Sequence, residues 1–146
     1  MQMKRRRIFA ALAILLIFAL GTAHAATDSS SYTYSVIDET NAERARYGLG
    51  ELRVDEELMA AARVRAEEII RKFSHTRPDG SMWNTASNAA YAENIARGHN
   101  NPDRVIAAWM SSSGHRQNIL KASYGSIGVC CLRVGNVCYW VQLFGK

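Results

Sequence analysis

An α+β domain, with helices layered on both faces of a small sheet, is the fold class this chain predicts, and three observations carry it. Helix-period apolar patterns fill the central part of the chain. Two runs rich in β-branched and aromatic residues, 126–134 and 137–144, close it, with Gly135-Asn136 between them. Neither run alternates cleanly between apolar and polar residues, so both faces of that hairpin are expected to be covered.

The elements follow in order. Residues 1–25 are set aside as a signal peptide. Lys4 to Arg7 form a basic n-region, Ile8 to Leu20 an apolar run, and Ala23-His24-Ala25 a small-x-small pattern with cleavage expected after Ala25. The run is too short to span a bilayer comfortably. Membrane contact is therefore expected only through the signal peptide, and the product is expected to be secreted, in the extracellular or envelope space. Residues 26–31, small and polar, read as a flexible leader, and 32–146 as one domain.

A first helix is expected over Tyr34 to Tyr47, with Val36, Ile37 and Thr40 on one face and Gly48 and Gly50 ending it. Asp55 is placed to cap a second helix, Glu56 and Glu57 favour its positive end, and Leu58, Ala62, Ala66, Ile69 and Phe73 form one buried stripe. That helix is expected to end near Ser74, before the turn Arg77-Pro78-Asp79-Gly80. Residues 81–90 read as an ordered loop, and 91–96 as a short helix or a strand. Pro102 opens a third helix reaching Met110, and Ser111 to Gly114 breaks it. Gly135-Asn136 is a two-residue hairpin signal.

Charge excludes one class of partner. The 146 residues hold eighteen Lys and Arg against thirteen Asp and Glu, but four of the basic residues lie in the n-region. Fourteen against thirteen leaves the mature chain near +1, without a basic patch for nucleic acid. The length allows a single core. Cys130, Cys131 and Cys138 all lie in the last strands. If Val134 faces Val137, Cys131 and Cys138 share a face diagonally and Cys130 points the other way. A Cys131–Cys138 disulfide is then favoured over Cys130–Cys138, with three reduced thiols as the alternative.

Three residues invite a chemical reading. His75 follows the second helix and can serve as a C-terminal cap. Glu93 lies in an apolar context, where a carboxylate needs a partner. His115 follows Gly114 in a turn. Two neutral imidazoles and one carboxylate can also make a half-open metal site or a proton-transfer site, if the fold joins them. Asn118 is expected to brace the turn carrying His115, Asn41 to satisfy buried backbone groups, and Arg116 to form an ion pair there. His99, in an Asn-rich loop, is expected to be exposed and outside the group. The serines 111–113 read as turn chemistry and Cys130 as a buried, inert thiol.

Several blocks in fixed order widen this picture: Asn41-Ala42-Glu43-Arg44 with Gly48-Leu49; Phe73-Ser74-His75-Thr76-Arg77-Pro78-Asp79-Gly80; Ala92-Glu93-Asn94-Ile95-Ala96; Trp109 through Gly114-His115-Arg116-Gln117-Asn118-Ile119-Leu120; and Tyr139-Trp140-Val141-Gln142-Leu143-Phe144-Gly145. Together they resemble the CAP superfamily of cysteine-rich secretory, antigen 5 and pathogenesis-related proteins, above all its short bacterial secreted members. The resemblance implies a three-layer α-β-α sandwich with a small, mainly antiparallel sheet ending in the C-terminal hairpin. It also implies a surface cavity lined by His75, Glu93 and His115, with Asn118 beside them. Family members commonly carry a second acid there, whereas this chain has only Asp79 near its first histidine.

Three functions are consistent with that resemblance. The cavity binds a small ligand or lipid; or the domain serves as a structural or partner-binding module for an envelope component; or His75 and His115 hold Zn2+ with Glu93 as third ligand or general base of a hydrolase. With no evident nucleophile, binding ranks first and catalysis last.

Overall fold

The computed structural model describes residues 25–146, so the expected signal peptide, 1–25, lies outside the described residues except for its last position. Five strands and four α-helices follow in the order β1 (Thr27–Asp28), α1 (Ser30–Arg46), β2 (Arg53–Val54), α2 (Glu56–Arg71), β3 (Ala92–Arg97), α3 (Pro102–Ser111), α4 (Ser113–Ile119), β4 (Ser126–Val134) and β5 (Val137–Gly145). They make the expected α-β-α sandwich. The strand order is β1-β4-β5-β3, with β2 running parallel to β4 and the other pairings antiparallel.

Both faces of the hairpin are covered, which is why its strands lack alternation. Ile127, Val129, Cys131, Cys138 and Trp140 face α1 and α3 through Val36, Ile37, Val105 and Trp109. Cys130, Leu132, Val141 and Leu143 face α2 through Leu58, Ala62, Ala66 and Ile69. The turn is set by Gly135, at φ 57°, as the first central residue of a two-residue connection.

Several boundaries differ from expectation. The stretch read as a leader is built into the fold: Thr27 and Asp28 pair with Arg133 and Leu132, and Ser29 donates to the Cys131 carbonyl at 3.1 Å. The outer edge of β4 needs partners, and this segment supplies them, so α1 starts at Ser30 rather than Tyr34. Asp55 caps α2 as expected, its Oδ1 accepting from the Leu58 N–H at 2.9 Å. The helix stops at Arg71, where Lys72 turns extended. The stretch 91–96, left open between helix and strand, is a strand from its second residue on, β3 running Ala92–Arg97. The break after α3 is one extended residue, Ser112, and His115 rides on a helix of its own, α4.

The cysteine pairing is corrected. Register and facing are as predicted, with Arg133 opposite Cys138 and Cys131 opposite Trp140, yet all three thiols are free and buried. A diagonal antiparallel pair sits at about 7–8 Å, beyond the Cα separation a disulfide normally takes. Burial pushes the Cys130 thiol up to about 12 and raises Cys131 as well, so neither is a ready nucleophile.

The α2 layer comes close enough to forbid a side chain at one strand position. A Cβ on Gly128 would lie 2.1 Å from the Leu58 carbonyl carbon. Gly128→Ala is therefore expected to destabilise the fold by about 1–3 kcal/mol or more, read by urea unfolding, because helix backbone must move. An unchanged midpoint would show that α2 is not seated this tightly.

Candidate functional site

The site starts from a charge in the wrong place. Arg65 stands on the apolar stripe of α2, between Ala62 and Ile69, and its side chain is fully buried. A guanidinium there needs carboxylates. Glu93, on β3 and equally buried, supplies one: Arg65 Nε donates to Oε2 at 2.7 Å and Nη2 to Oε1 at 3.2 Å. Arg65 Nη1 donates to Glu68 Oε2 at 2.5 Å, and Nη2 also reaches the Ser74 carbonyl at 2.8 Å.

The network continues outward through the turn after α2. Arg77 forks onto Glu68, with Nε and Nη2 donating to Oε1 at 2.9 and 2.7 Å, and its Nη1 donates to Thr85 Oγ1 at 3.0 Å. Burial pushes the Glu68 carboxyl up, but hydrogen bonds from Arg77 and Arg65 outweigh it and hold it below the usual carboxylate range. The loop carrying His75 is thereby fastened to α2 at both Ser74 and Arg77.

His75 lands on the same carboxylate. Its Nδ1 lies 2.9 Å from Glu93 Oε1. The carboxylate accepts, so Nδ1 donates, and Nε2 is left on the outer side of a ring that is 52% exposed. His75 is thus an oriented imidazole, not the helix cap considered from sequence.

His115 and Asn118 are located through β3 and a ladder of amides. Asn94 Nδ2 donates to the His115 carbonyl at 3.1 Å and to Gln142 Oε1 at 3.0 Å, and Gln142 Nε2 donates to Thr40 Oγ1 at 2.7 Å. Asn118 Nδ2 donates to Asn94 Oδ1 at 2.8 Å and to the Glu93 carbonyl at 3.4 Å, bracing α4 against β3 as expected. The end of α4 is held by the buried Arg44, whose Nη1 donates to the Ile119 and Lys121 carbonyls at 2.8 and 3.0 Å. Burial, followed by the nearness of His75, lowers the His115 pKa, so its ring is a neutral donor–acceptor at neutral pH.

His115 also lines a notch of about 310 Å³ with Trp109, Ile95 and Phe73. His99 lines it too and is half-buried, against the expectation that it would stand apart. Its carbonyl accepts from Trp140 Nε1 at 3.0 Å, which draws the Asn-rich loop inward.

Other expected participants do different work. Asp79 Oδ1 accepts from the N–H and Oγ of Ser81 at 2.9 and 2.6 Å, forming an exposed turn. Arg116 makes no ion pair among the described residues; its Nη1 donates to the Met110 carbonyl at 3.3 Å, at the end of α3. Ser111 Oγ donates to the Ala107 carbonyl at 2.8 Å. Asn41 closes a reciprocal pair with the Leu52 backbone at 3.1 and 2.8 Å, as expected.

The donor set is short of a zinc centre. Among the described residues no group of three or more His, Cys, Asp or Glu side chains is placed to hold a metal ion. Glu93, considered as third ligand, has both oxygens engaged, so only two imidazole nitrogens remain for a cation that favours three or four protein ligands.

Arg65 and Glu68 are the site residues that sequence reasoning missed. The signal was present: an arginine on an apolar helical stripe, with Glu68 three residues on, and a glutamate in an apolar strand both call for buried partners.

A half-exposed imidazole bound to a buried ion pair, on an α-β-α sandwich with a second histidine helix beside it, defines the general class of the molecule. The sequence profile of the CAP family, the cysteine-rich secretory protein family, matches residues 37–144, and the chain belongs to that family. YkwD of Bacillus subtilis is 37% identical over 131 residues, covering 84% of this chain, which spans half the length of that relative. An outer surface protein of Borrelia burgdorferi has the same fold, with TM-score 0.75 at 23% identity, over 84% of this chain and 98% of its own. So does an extracellular protein containing a SCP domain from Bacillus anthracis, with TM-score 0.69 at 24% identity, over 80% of this chain and 41% of its own.

The ion pair makes a stability prediction. Glu93→Ala leaves Arg65 buried against a lost partner and is expected to cost about 3–5 kcal/mol in urea unfolding. Glu93→Leu combined with Arg65→Met is expected to recover much of that loss, since Glu68 keeps Arg77. Strictly additive losses would show that the two side chains do not depend on each other.

Proposed function

We propose that this chain is an exported binding module that takes a small ligand on the face between His75 and His115. The observation that carries this reading is the commitment of Glu93. Its oxygens are used by Arg65 and His75, so it orients an imidazole instead of acting as a free base. What remains facing outward is two imidazoles and neighbouring apolar walls, a set suited to holding a molecule by hydrogen bonds and hydrophobic contact.

Hydrolysis has less to support it. General base catalysis needs a carboxylate or imidazole within reach of a nucleophile or water and an acid to complete the transfer. The hydroxyls beside the histidines serve local backbone: Ser111 donates to its own helix, and Ser74 accepts from the Thr76 N–H. Export is supported by the N-terminal signal pattern and by the extracellular and outer-surface relatives, and no described helix is long and apolar enough to cross a membrane.

Native mass spectrometry of protein collected from a secreting host, without chelator, is the direct test. The wild type is expected to carry a non-protein mass that is lost in His75→Ala combined with His115→Ala. A bare wild-type mass that also stays bare against a panel of small organic ligands would replace this reading with the structural, partner-binding one. A zinc-sized increment removed by chelator would instead favour the metal reading.

A further inference from the structure

We propose that the notch beside His115 is an anion subsite for a compact aromatic or branched-chain carboxylate, with Arg97 as the group that captures the charge. The inference rests on the binding reading above and gives it a ligand class.

The notch lies at the free edge of the sheet. β3 is the last strand in the order, so one side of it has no further strand, and the opening falls between Phe73, just past α2, and Trp109 near the end of α3. Trp109 closes the inner wall, its Nε1 donating to the Ile95 carbonyl at 3.3 Å. Ile95 and Ala96 continue the apolar surface along β3.

The charge at this opening is one-sided. Arg97 reaches across the mouth, its guanidinium carbon 5.5 Å from the centre of the Phe73 ring, so the ring face holds the cation against the wall. Among the described residues no carboxylate lies within ion-pair distance of Arg97 or lines the notch. The acid nearest along the strand, Glu93, is spent on Arg65 and His75. His99 and His115 add ring groups that can donate, and no acidic side chain opposes an anion.

Shape then selects among anions. A planar guanidinium matches the two oxygens of a carboxylate, and apolar walls behind it ask for a hydrocarbon body. A volume of about 310 Å³ stands at the small end of ligand pockets. It suits one ring or a branched chain rather than a sterol or a long acyl chain.

Calorimetry on the secreted chain, with 3-phenylpropionate as probe, tests this, and 3-phenylpropanol and palmitate serve as controls. Millimolar or tighter binding of the acid is expected, weakened about ten- to hundred-fold by Arg97→Gln and less by Arg97→Lys. The alcohol, with the same body and no charge, is expected to lose a comparable factor, and palmitate to gain nothing over the short acid. Equal affinity of acid and alcohol, binding unaffected by Arg97→Gln, or no binding of the acid at all overturns the subsite. Amide and ring NMR shifts separate the two ideas. Shifts at His75 and His115 that do not depend on Arg97 leave the cavity reading standing and sink the subsite. Arg97-dependent binding that never perturbs His75 supports the subsite and counts against the wider cavity.

Discussion

The buried pair of Arg65 and Glu93 is the constraint on which the rest of the site depends. Two charges removed from water have to be matched closely, because the cost of desolvation is recovered only when every donor and acceptor is used. Here the match sets geometry at long range: it fixes α2 against β3, draws in the loop after α2 through the Ser74 carbonyl, and leaves one carboxylate edge for His75. The histidine is therefore held in place by the same interaction that joins two layers of the sandwich. A loop residue acquires the positional precision of a core residue.

The second histidine is placed by a different kind of link. Thr40, Gln142, Asn94 and Asn118 pass hydrogen bonds from α1 through the sheet to α4, each amide using both its oxygen and its nitrogen or handing one to a carbonyl. Arg44 closes the far end with no carboxylate partner among the described residues, fully buried among carbonyl oxygens, and burial lowers its pKa accordingly. No described buried side-chain nitrogen or oxygen is left without a partner. Networks satisfied to this degree favour one arrangement of the layers over near alternatives, since any slip leaves a buried group unpaired.

How much of this was readable in the residues depended on whether the signal was local. The α2 cap, the Pro102 start, the hairpin at Gly135-Asn136 and its register follow from turn chemistry and periodicity, and the blocks around His75, Glu93 and His115 gave the family. Thr27–Asp28 misled because five polar residues look like a linker until an edge strand needs them. The short helix α4 was hidden behind Ser112, which breaks α3 for a single residue. Arg65 was passed over because a stripe is judged by its apolar members, and the carboxylate that ties it to β3, Glu93, is 28 positions away. His99 looked exposed because its burial comes from the Trp140 indole bonding its carbonyl, a contact that spans 41 positions.

If Glu93 is an orienting group and not a free acid, the proton positions on His75 follow. Long-range proton–nitrogen NMR correlations on the assigned His75 ring, in an alkaline sample, read them directly. The expected result is a ring with its proton on Nδ1 and a bare Nε2. A ring protonated on Nε2, with Nδ1 bare, would contradict the hydrogen bond to Glu93 and with it the placement of the whole site.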